Sequence, residues 1–411
     1  MKFEDLNVKT EIVKALNEMG IVEPTDIQAK AIPIIKAGKD LIGMSKTGSG
    51  KTAAFGAPIL EKISPGNGLQ VLIMGPTREL AIQISQEMQK FGKYLQCRIA
   101  TVYGGVAIGP QMRQIEQADI VVGTPGRLLD HLQRGTINLS KIACLVLDEA
   151  DKMVEMGFIE DITRIISQTP SDRQMLLFGA TISSEVDYLK RKFMHNPEIA
   201  KAEAQVEEEY LKQYYYNVLP NEKFSLLVHL LKKEQIGQAI IFCSTRSTVE
   251  IVAKNLHTNG IKAEMTHGKL SQNRRQRVLD DFNKGNPNIL VASAVAARGL
   301  DIKYVTHIFN FDLSHDPQEY IHRIGRTARA GESGKAITLL SQKDHDAFNS
   351  ILRSHNLKID LLPKEDFPSI SFRARSAPQQ YSKFGGRFER SKNNYGRGRF
   401  GRFGYRAGQE N

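Results

Sequence analysis

Cysteine is scarce in this chain. Its 411 residues include three, Cys97, Cys144 and Cys243, far apart and never spaced as Cys-x-x-Cys. That spacing leaves no basis for a disulfide framework or a cysteine-clamped metal. Buried reduced thiols are the expectation for all three. Long hydrophobic runs are missing too. None approaches the roughly 18 residues that a membrane-spanning helix requires. The opening residues, Met1-Lys2-Phe3-Glu4-Asp5-Leu6, lack the charged-then-apolar pattern of a secretion signal. A cytoplasmic protein with no membrane partner is the expectation. Acidic residues are also in deficit, with 45 Asp and Glu against 56 Lys and Arg, a net charge of +11. The deficit is local. From Ser371 to Asn411 there are ten Lys and Arg against two acids, a net +8, which leaves +3 for the other 370 residues. A nearly neutral body with a basic end suggests a polyanionic partner.

What is present is ordinary globular material, 41% apolar and 25% charged, and its length favours two domains over one. Val8, Ile12, Val13, Leu16 and Met19 fall at helical spacing. Gly20 ends that helix, and Thr25 is placed to cap the next. Short apolar runs then alternate with helical stretches. The runs are Asp40–Met44, Gln70–Met74, Arg98–Tyr103, Asp119–Gly123, Ile142–Leu147 and Gln174–Phe178. Strand and helix in alternation argue for a parallel sheet covered on both faces. The rhythm breaks near 201–211, where Glu203, Glu207, Glu208 and Glu209 form an acidic connection. It restarts with Gln213–Leu219, Ala239–Cys243, Ala263–Met265, Asn288–Ser293, Val305–Phe311 and Lys335–Leu340. The expected division is a first domain at 1–202, a linker at 203–211, a second domain at 212–363 and a tail at 364–411. The tail interleaves Gly and Arg with Phe and Tyr, as in Tyr395-Gly396-Arg397-Gly398-Arg399-Phe400. It offers no apolar face to bury and is expected to be disordered when free.

Two stretches carry chemistry. Gly48-Ser49-Gly50-Lys51-Thr52 follows one expected strand and opens a helix, the context of a phosphate-binding loop. Its glycines let backbone N–H groups turn onto phosphate oxygens. Lys51 would reach the β and γ phosphates, and Thr52 would hold Mg²⁺. The strict pattern has Gly six residues before the lysine, where this chain has Ser45. The second stretch is Leu145-Val146-Leu147-Asp148-Glu149-Ala150-Asp151, an apolar strand ending in two acids. Side chains alternate along a strand, so the two acids project differently. With the phosphate loop upstream, Asp148 becomes the second metal support and Glu149 the group that activates a water. The second half has no phosphate loop of its own. It carries Arg326 and Arg329, three apart, on one helical face or turn.

At this point the sequence resembles the DEAD-box family of ATP-dependent RNA helicases, over about residues 3 to 360. The resemblance implies two tandem RecA-like α/β domains, ATP with Mg²⁺, and RNA-stimulated hydrolysis. It implies that Phe3, Thr25 and Gln28 read adenine, with Phe3 stacked on the base and Gln28 bonded to its edge. Gly48 to Thr52 match the phosphate loop. Asp148 to Asp151 match the name-giving motif. Gly179-Ala180-Thr181 matches a motif usually written Ser-Ala-Thr, so a hydroxyl linking the ATP site to the interdomain contacts is absent. RNA contacts map onto Pro76, Thr77, Arg78, Gly104, Gly105, Thr124, Pro125, Gly126 and Arg127 in the first domain. In the second they map onto Thr245, Arg246, Gln272, Arg275, Ser293, Arg298 and Gly299. Asp301 would lie near the ribose. Arg326 and Arg329 would complete the catalytic set with Lys51 and Glu149. His322 and Arg323, with Asp151, Gly179, Ala180 and Thr181, would couple the domains.

Singly, several of these pieces read equally well as caps, turns or solvated faces. Their number and order carry the resemblance. The expected activity is local unwinding of short RNA duplexes or remodelling of RNA–protein complexes, with ribosome-assembly factors among compatible partners. An ATP-switched RNA clamp or annealing chaperone is the alternative, kept open by Gly179 and the basic tail.

Overall fold

The structure is a computed structural model. It describes residues 1–373 apart from 46–47, 203–210, 298–301, 303–304, 315, 328–332 and 356, with no side-chain placement for Gln272, Ala294, Val295, Gln318 and His355. The expected linker up to residue 210 therefore lies outside the described residues, as do Arg298, Gly299, Asp301, Arg329 and the tail from 374.

Two seven-stranded sheets organise the described chain. The first contains β1 Leu41–Met44, β2 Val71–Met74, β3 Ile99–Val102, β4 Ile120–Gly123, β5 Cys144–Leu147, β6 Gln174–Gly179 and β7 Glu198–Lys201. Its order is β3-β4-β2-β5-β6-β1-β7, and every pairing is parallel. The second contains β8 Leu211–Asn217, β9 Ala239–Cys243, β10 Glu264–Thr266, β11 Ile289–Ser293, β12 His307–Asn310, β13 Gly334–Leu340 and β14 Asp360–Leu361. Its order is β10-β11-β9-β12-β13-β8-β14, again all parallel. These are the two RecA-like α/β lobes.

The apolar runs form strands because both their faces are covered. In β2, Val71 and Ile73 enter one core, and Leu72 and Met74 the other. In β9, Ile240 and Phe242 face one core, and Ala239, Ile241 and Cys243 the opposite one. Each fully buried aliphatic side chain is worth about 1.5–3 kcal/mol relative to exposure. Two strands were not expected, β7 and β14. Both sit at sheet edges. Only Ala200 of β7 is buried, and both residues of β14 are exposed, so neither carries an apolar run.

The chain does not leave the second lobe at residue 364, which corrects the expected start of the tail. Residues 362–373 run as a strap across the lobe. Leu362 N–H donates to the Tyr215 carbonyl at 2.9 Å. Glu365 accepts from Tyr216 Oη at 2.5 Å and Lys233 Nζ at 2.7 Å, with His229 Nε2 at 2.8 Å. Phe367, Ile370 and Phe372 pack on the core that holds Phe224 and Leu227. Asn255 Oδ1 accepts from Arg373 N–H at 3.0 Å. Three apolar residues separated by polar ones and proline show neither strand nor helix periodicity, so they read as tail.

Candidate functional site

The carboxyl ends of β1, β5 and β6 converge, and the crevice outside such strand ends is where open α/β sheets bind ligands. After β1, Gly48 and Gly50 adopt φ values of 84° and 86°, and the helix Lys51–Lys62 begins. The φ of 86° at Gly50 favours glycine, and a Cβ there would lie 2.3 Å from Gln28 Nε2. Ser45, the departure from the strict loop pattern, is used. Its hydroxyl accepts from Ser49 Oγ at 2.8 Å and braces the loop. Thr25 and Gln28 also bind this loop. Thr25 Oγ1 donates to the Ser49 carbonyl at 2.9 Å and Gln28 Nε2 to the Gly50 carbonyl at 3.0 Å. Gln28 Oε1 accepts from Thr25 N–H at 2.9 Å, closing a capping box on the helix Asp26–Lys36. This pair ties the expected adenine-reading residues to the expected phosphate loop. Phe3 does not join them. It is fully buried among Val8, Ile12 and Leu16 and presents no ring face to a base, which corrects its expected stacking role.

Lys51 is the first residue of its helix. Its Nζ lies 3.5 Å from the Ser45 carbonyl and 4.0 Å from Asp148 Oδ1. Asp148 and Glu149 follow β5 and are almost fully buried. Asp148 Oδ1 accepts from Glu149 N–H at 2.9 Å. Burial pushes the Asp148 carboxyl up to about 6 against the pull of Lys51. Glu149 has a left-handed φ of 53°, which turns it away from Asp148 at the start of the helix Ala150–Glu155. Burial pushes Glu149 up as well, but Lys152, Lys51 and Arg326 outweigh it and hold it at about 2. Lys152 Nζ is 2.7 Å from Glu149 Oε1. Among the described residues no cluster of three or more His, Cys, Asp or Glu is built to hold a metal. The hard oxygens of Thr52 and Asp148 suit Mg²⁺, which takes one or two protein oxygens together with substrate phosphate and water.

Asp151 carries the link to Gly179-Ala180-Thr181. Its Oδ2 accepts from Ala180 N–H at 2.8 Å, Thr181 N–H at 3.0 Å and Thr181 Oγ1 at 3.4 Å. The missing hydroxyl at Gly179 therefore leaves this contact intact through backbone amides. A Cβ at Gly179 would lie 3.3 Å from Asp151 Cγ.

The second lobe reaches this site. Arg326 is buried in the turn after the helix Pro317–Ile324, close enough to act electrostatically on Glu149. Arg323 is equally buried but faces its own lobe, with Nη1 donating to the Asp312 carbonyl at 2.6 Å and an ion pair to Glu319. His322 is partly buried on the same helix.

The expected RNA contacts cluster at helix starts. Thr77, Thr124 and Thr245 are the N-caps of the helices Arg78–Phe91, Pro125–Gln133 and Arg246–Thr258. Such termini present N–H groups and a positive dipole end to phosphate. Pro76 precedes the first of these caps, and Pro125 and Gly126 open the second helix. Arg78 lies over Gly104 and Gly105, where a Cβ at Gly105 would come within 2.1 Å of its Nη1. Arg127 is braced by Gln111 Oε1 at 3.2 Å and the Val106 carbonyl at 3.0 Å. Arg246 pairs with Glu250 at 3.4 Å. Gln272 opens the helix Gln272–Asn283, and Ser293 ends β11. Arg275 is placed otherwise than expected. Its Nη1 lies 2.8 Å from Glu79 Oε1 of the first lobe, with both side chains largely buried. It is an interlobe partner in this conformation. Glu79 was expected only as part of the RNA-contact stretch Pro76 to Ala81, not as the partner of Arg275. Lys152 and Gln111 were absent from the expected site, because a lysine beside Asp151 and a glutamine in a helix give no spacing signal that would single them out.

Residues 25–189 match the DEAD/DEAH box helicase family, and 222–331 match the helicase conserved C-terminal domain. The chain is 45% identical over 361 residues to the DEAD-box ATP-dependent RNA helicase CshA of Geobacillus kaustophilus, covering 87% of this chain and 77% of that protein. S. cerevisiae Dbp5 bound to RNA and ADP BeF3 superimposes with a TM-score of 0.80 at 32% identity, covering 88% of this chain and 95% of Dbp5. A DEAD box protein from Methanococcus jannaschii is 39% identical, with a TM-score of 0.55, covering 88% of this chain and 99% of that one. The matched motifs, the two parallel-sheet lobes and these relatives place the chain in the DEAD-box family of ATP-dependent RNA helicases.

Proposed function

We propose that this enzyme couples RNA-stimulated ATP hydrolysis to closure of its two lobes, and that closure locally opens short RNA duplexes. The observation that carries the reading is the buried approach of Arg326 to Glu149. A half-site in the first lobe is met by a cation from the second. Lys51 and the loop amides would bind the ATP phosphates, with Thr25 and Gln28 fixing the loop to the base side. Thr52 and Asp148 would hold Mg²⁺, which on binding neutralises charge on the phosphates. Glu149 would orient the attacking water and take its proton. Arg326, joined by Arg329, would stabilise charge on the transferred group. A donated arginine of this kind is worth about 10³ to 10⁵ in rate, roughly 4 to 7 kcal/mol.

The three threonine-capped helix starts favour a phosphate backbone over base edges, which suits A-form RNA. Because RNA would touch both lobes, it favours the closed state, and linkage makes RNA and ATP raise each other's affinity. The likeness to Dbp5 solved with RNA and ADP BeF3 supports a closed arrangement, since the more identical M. jannaschii protein superimposes less well. The Arg, Gly and aromatic residues after 373 would add sequence-tolerant RNA affinity. Deleting residues 374–411 should weaken RNA binding and flatten its salt dependence, and an unchanged salt slope would remove that role.

The test is ATP turnover with and without RNA for wild type, Lys51→Ala and Glu149→Gln, beside strand displacement on a short duplex. Loss of turnover in both variants and ATP-dependent displacement by wild type are expected. Normal hydrolysis by Glu149→Gln would refute the assignment of the base. Hydrolysis without displacement would favour the clamp reading, although the intact Asp151 contact to Ala180 and Thr181 removes one argument for it.

A further inference from the structure

Lys152 has no part in the chemistry set out above, yet it is among the most deeply buried large side chains of the molecule. Its Nζ lies 2.7 Å from Glu149 Oε1, one helical turn away, and both side chains are almost fully enclosed. Glu149 stands at a left-handed backbone position, a conformation that non-glycine residues rarely adopt. Three cations act on its carboxylate, Lys152, Lys51 and Arg326. Two of these, Lys51 from the phosphate loop and Arg326 from the second lobe, are the groups that must turn to phosphate. Lys152 belongs to the same short helix as Glu149 and stays with it whatever the loop or the second lobe does.

We propose that Lys152 is a positioning residue for ATP hydrolysis, holding the Glu149 carboxylate on its own helix so that Lys51 and Arg326 remain available to phosphate. The inference rests on the reading of Glu149 as the water-activating group. A fixed donor that orients a reacting group before substrate arrives is preorganisation. Without Lys152, the carboxylate is drawn towards Arg326, the cation required in the transition state. It also loses the aim that a buried ammonium gives it.

The experiment uses the full chain and measures RNA-stimulated ATP turnover for Lys152→Met, Lys152→Gln and Lys152→Arg, with Glu149→Gln alongside. In the neutral variants kcat is expected to fall on the order of 10²-fold, the effect of a reacting group misplaced by about 1 Å. KM for ATP should stay within about twofold, because the loss arises in the transition state and not in binding. Lys152→Arg keeps the charge and the donors and should recover most of the rate. If either neutral variant that folds keeps kcat within about threefold of wild type, the proposal is overturned. It is equally overturned if KM rises as much as kcat falls, or if Lys152→Arg is as slow as Lys152→Met. Glu149→Gln separates the two readings. Normal turnover there removes the base assignment itself, whereas a dead Glu149→Gln beside an active Lys152→Met removes only the role of Lys152.

Discussion

The two lobes share one sheet order. Each strand of the first has its counterpart seven strands later, so that β1 corresponds to β8 and β5 to β12. The likeness extends to a lysine and an aspartate. Lys51 opens the helix after β1 and lies 4.0 Å from Asp148, just after β5. Lys223 opens the helix after β8 and lies 3.8 Å from Asp312, just after β12. Both pairs are buried, but their surroundings differ. Before Lys51 the chain has glycines at positive φ, and their amides are free to turn inward. Before Lys223 it reads Val218-Leu219-Pro220-Asn221-Glu222, with no glycine and with a proline that has no N–H. Lys223 Nζ is moreover occupied by Asp344 Oδ2 at 2.7 Å and the Phe311 carbonyl at 2.8 Å. The same fold and the same charge pair thus serve the proposed nucleotide site in one lobe and a structural clamp in the other. The connecting loop and one added carboxylate decide which.

Paired substitutions break this comparison most sharply. Lys51→Met should abolish ATP turnover, by on the order of 10³-fold or more, and leave the unfolding free energy nearly unchanged. Lys223→Met leaves Asp344 buried without its cation and leaves Asp312 with only the exposed Lys343 at 3.6 Å. It should cost about 3–5 kcal/mol in chemical denaturation while ATP affinity of the folded protein is retained. Matching phenotypes from the two variants would mean that the lobes are not divided in this way.

The Glu79–Arg275 pair joins the lobes and predicts an intermediate effect. Opening would let both side chains return to water, so the pair selects the register of closure more than it adds stability. Removing one partner leaves the other buried and unpaired in the closed state. Glu79→Ala or Arg275→Ala should reduce coupling between RNA and ATP binding by about 1–3 kcal/mol, roughly 5- to 150-fold. The double variant should lose no more than either single one. Additive losses in a titration of RNA at fixed ATP would place the two residues in separate roles.

The smallest effect belongs to the strap. Burial pushes Glu365 up, but hydrogen bonds from Lys233, Tyr216 and His229 outweigh it and hold it at about 2, below the ordinary value of 4.5. Its folded pKa is depressed, so its contribution is present above about 4.5 and is lost as pH falls from there towards 2. Glu365→Gln should lower the melting temperature of the second lobe by a few degrees at neutral pH, consistent with about 1 kcal/mol. The difference from wild type should shrink as the pH drops through that window. A difference that stays constant down to pH 2 would assign the loss to something other than the carboxylate.

Much of this division was legible in the sequence. The central strands are continuous apolar runs because they are covered on both faces, and glycine before lysine after such a run marks a phosphate loop. Edge strands escaped for the opposite reason, since β7 and β14 bury almost nothing. Phe3 was legible as a motif residue but not as a core residue, because only packing shows that its ring is buried in the core that holds Val8, Ile12 and Leu16. Arg275 and Glu79 lie nearly 200 residues apart, and no local pattern pairs them. Lys152 is one lysine among many until its burial is known. Asp151 shows the converse. Its importance was legible, yet that backbone amides would compensate for Gly179 depends on a geometry that residue types do not encode.

The central claim is that the ATP site of the first lobe is completed by the second. Arg326→Ala tests it most directly, with ATP affinity and RNA-stimulated turnover measured on the same preparation. The account predicts ATP binding within a few-fold of wild type and turnover lower by about 10³ to 10⁵. Turnover that survives the substitution would contradict it.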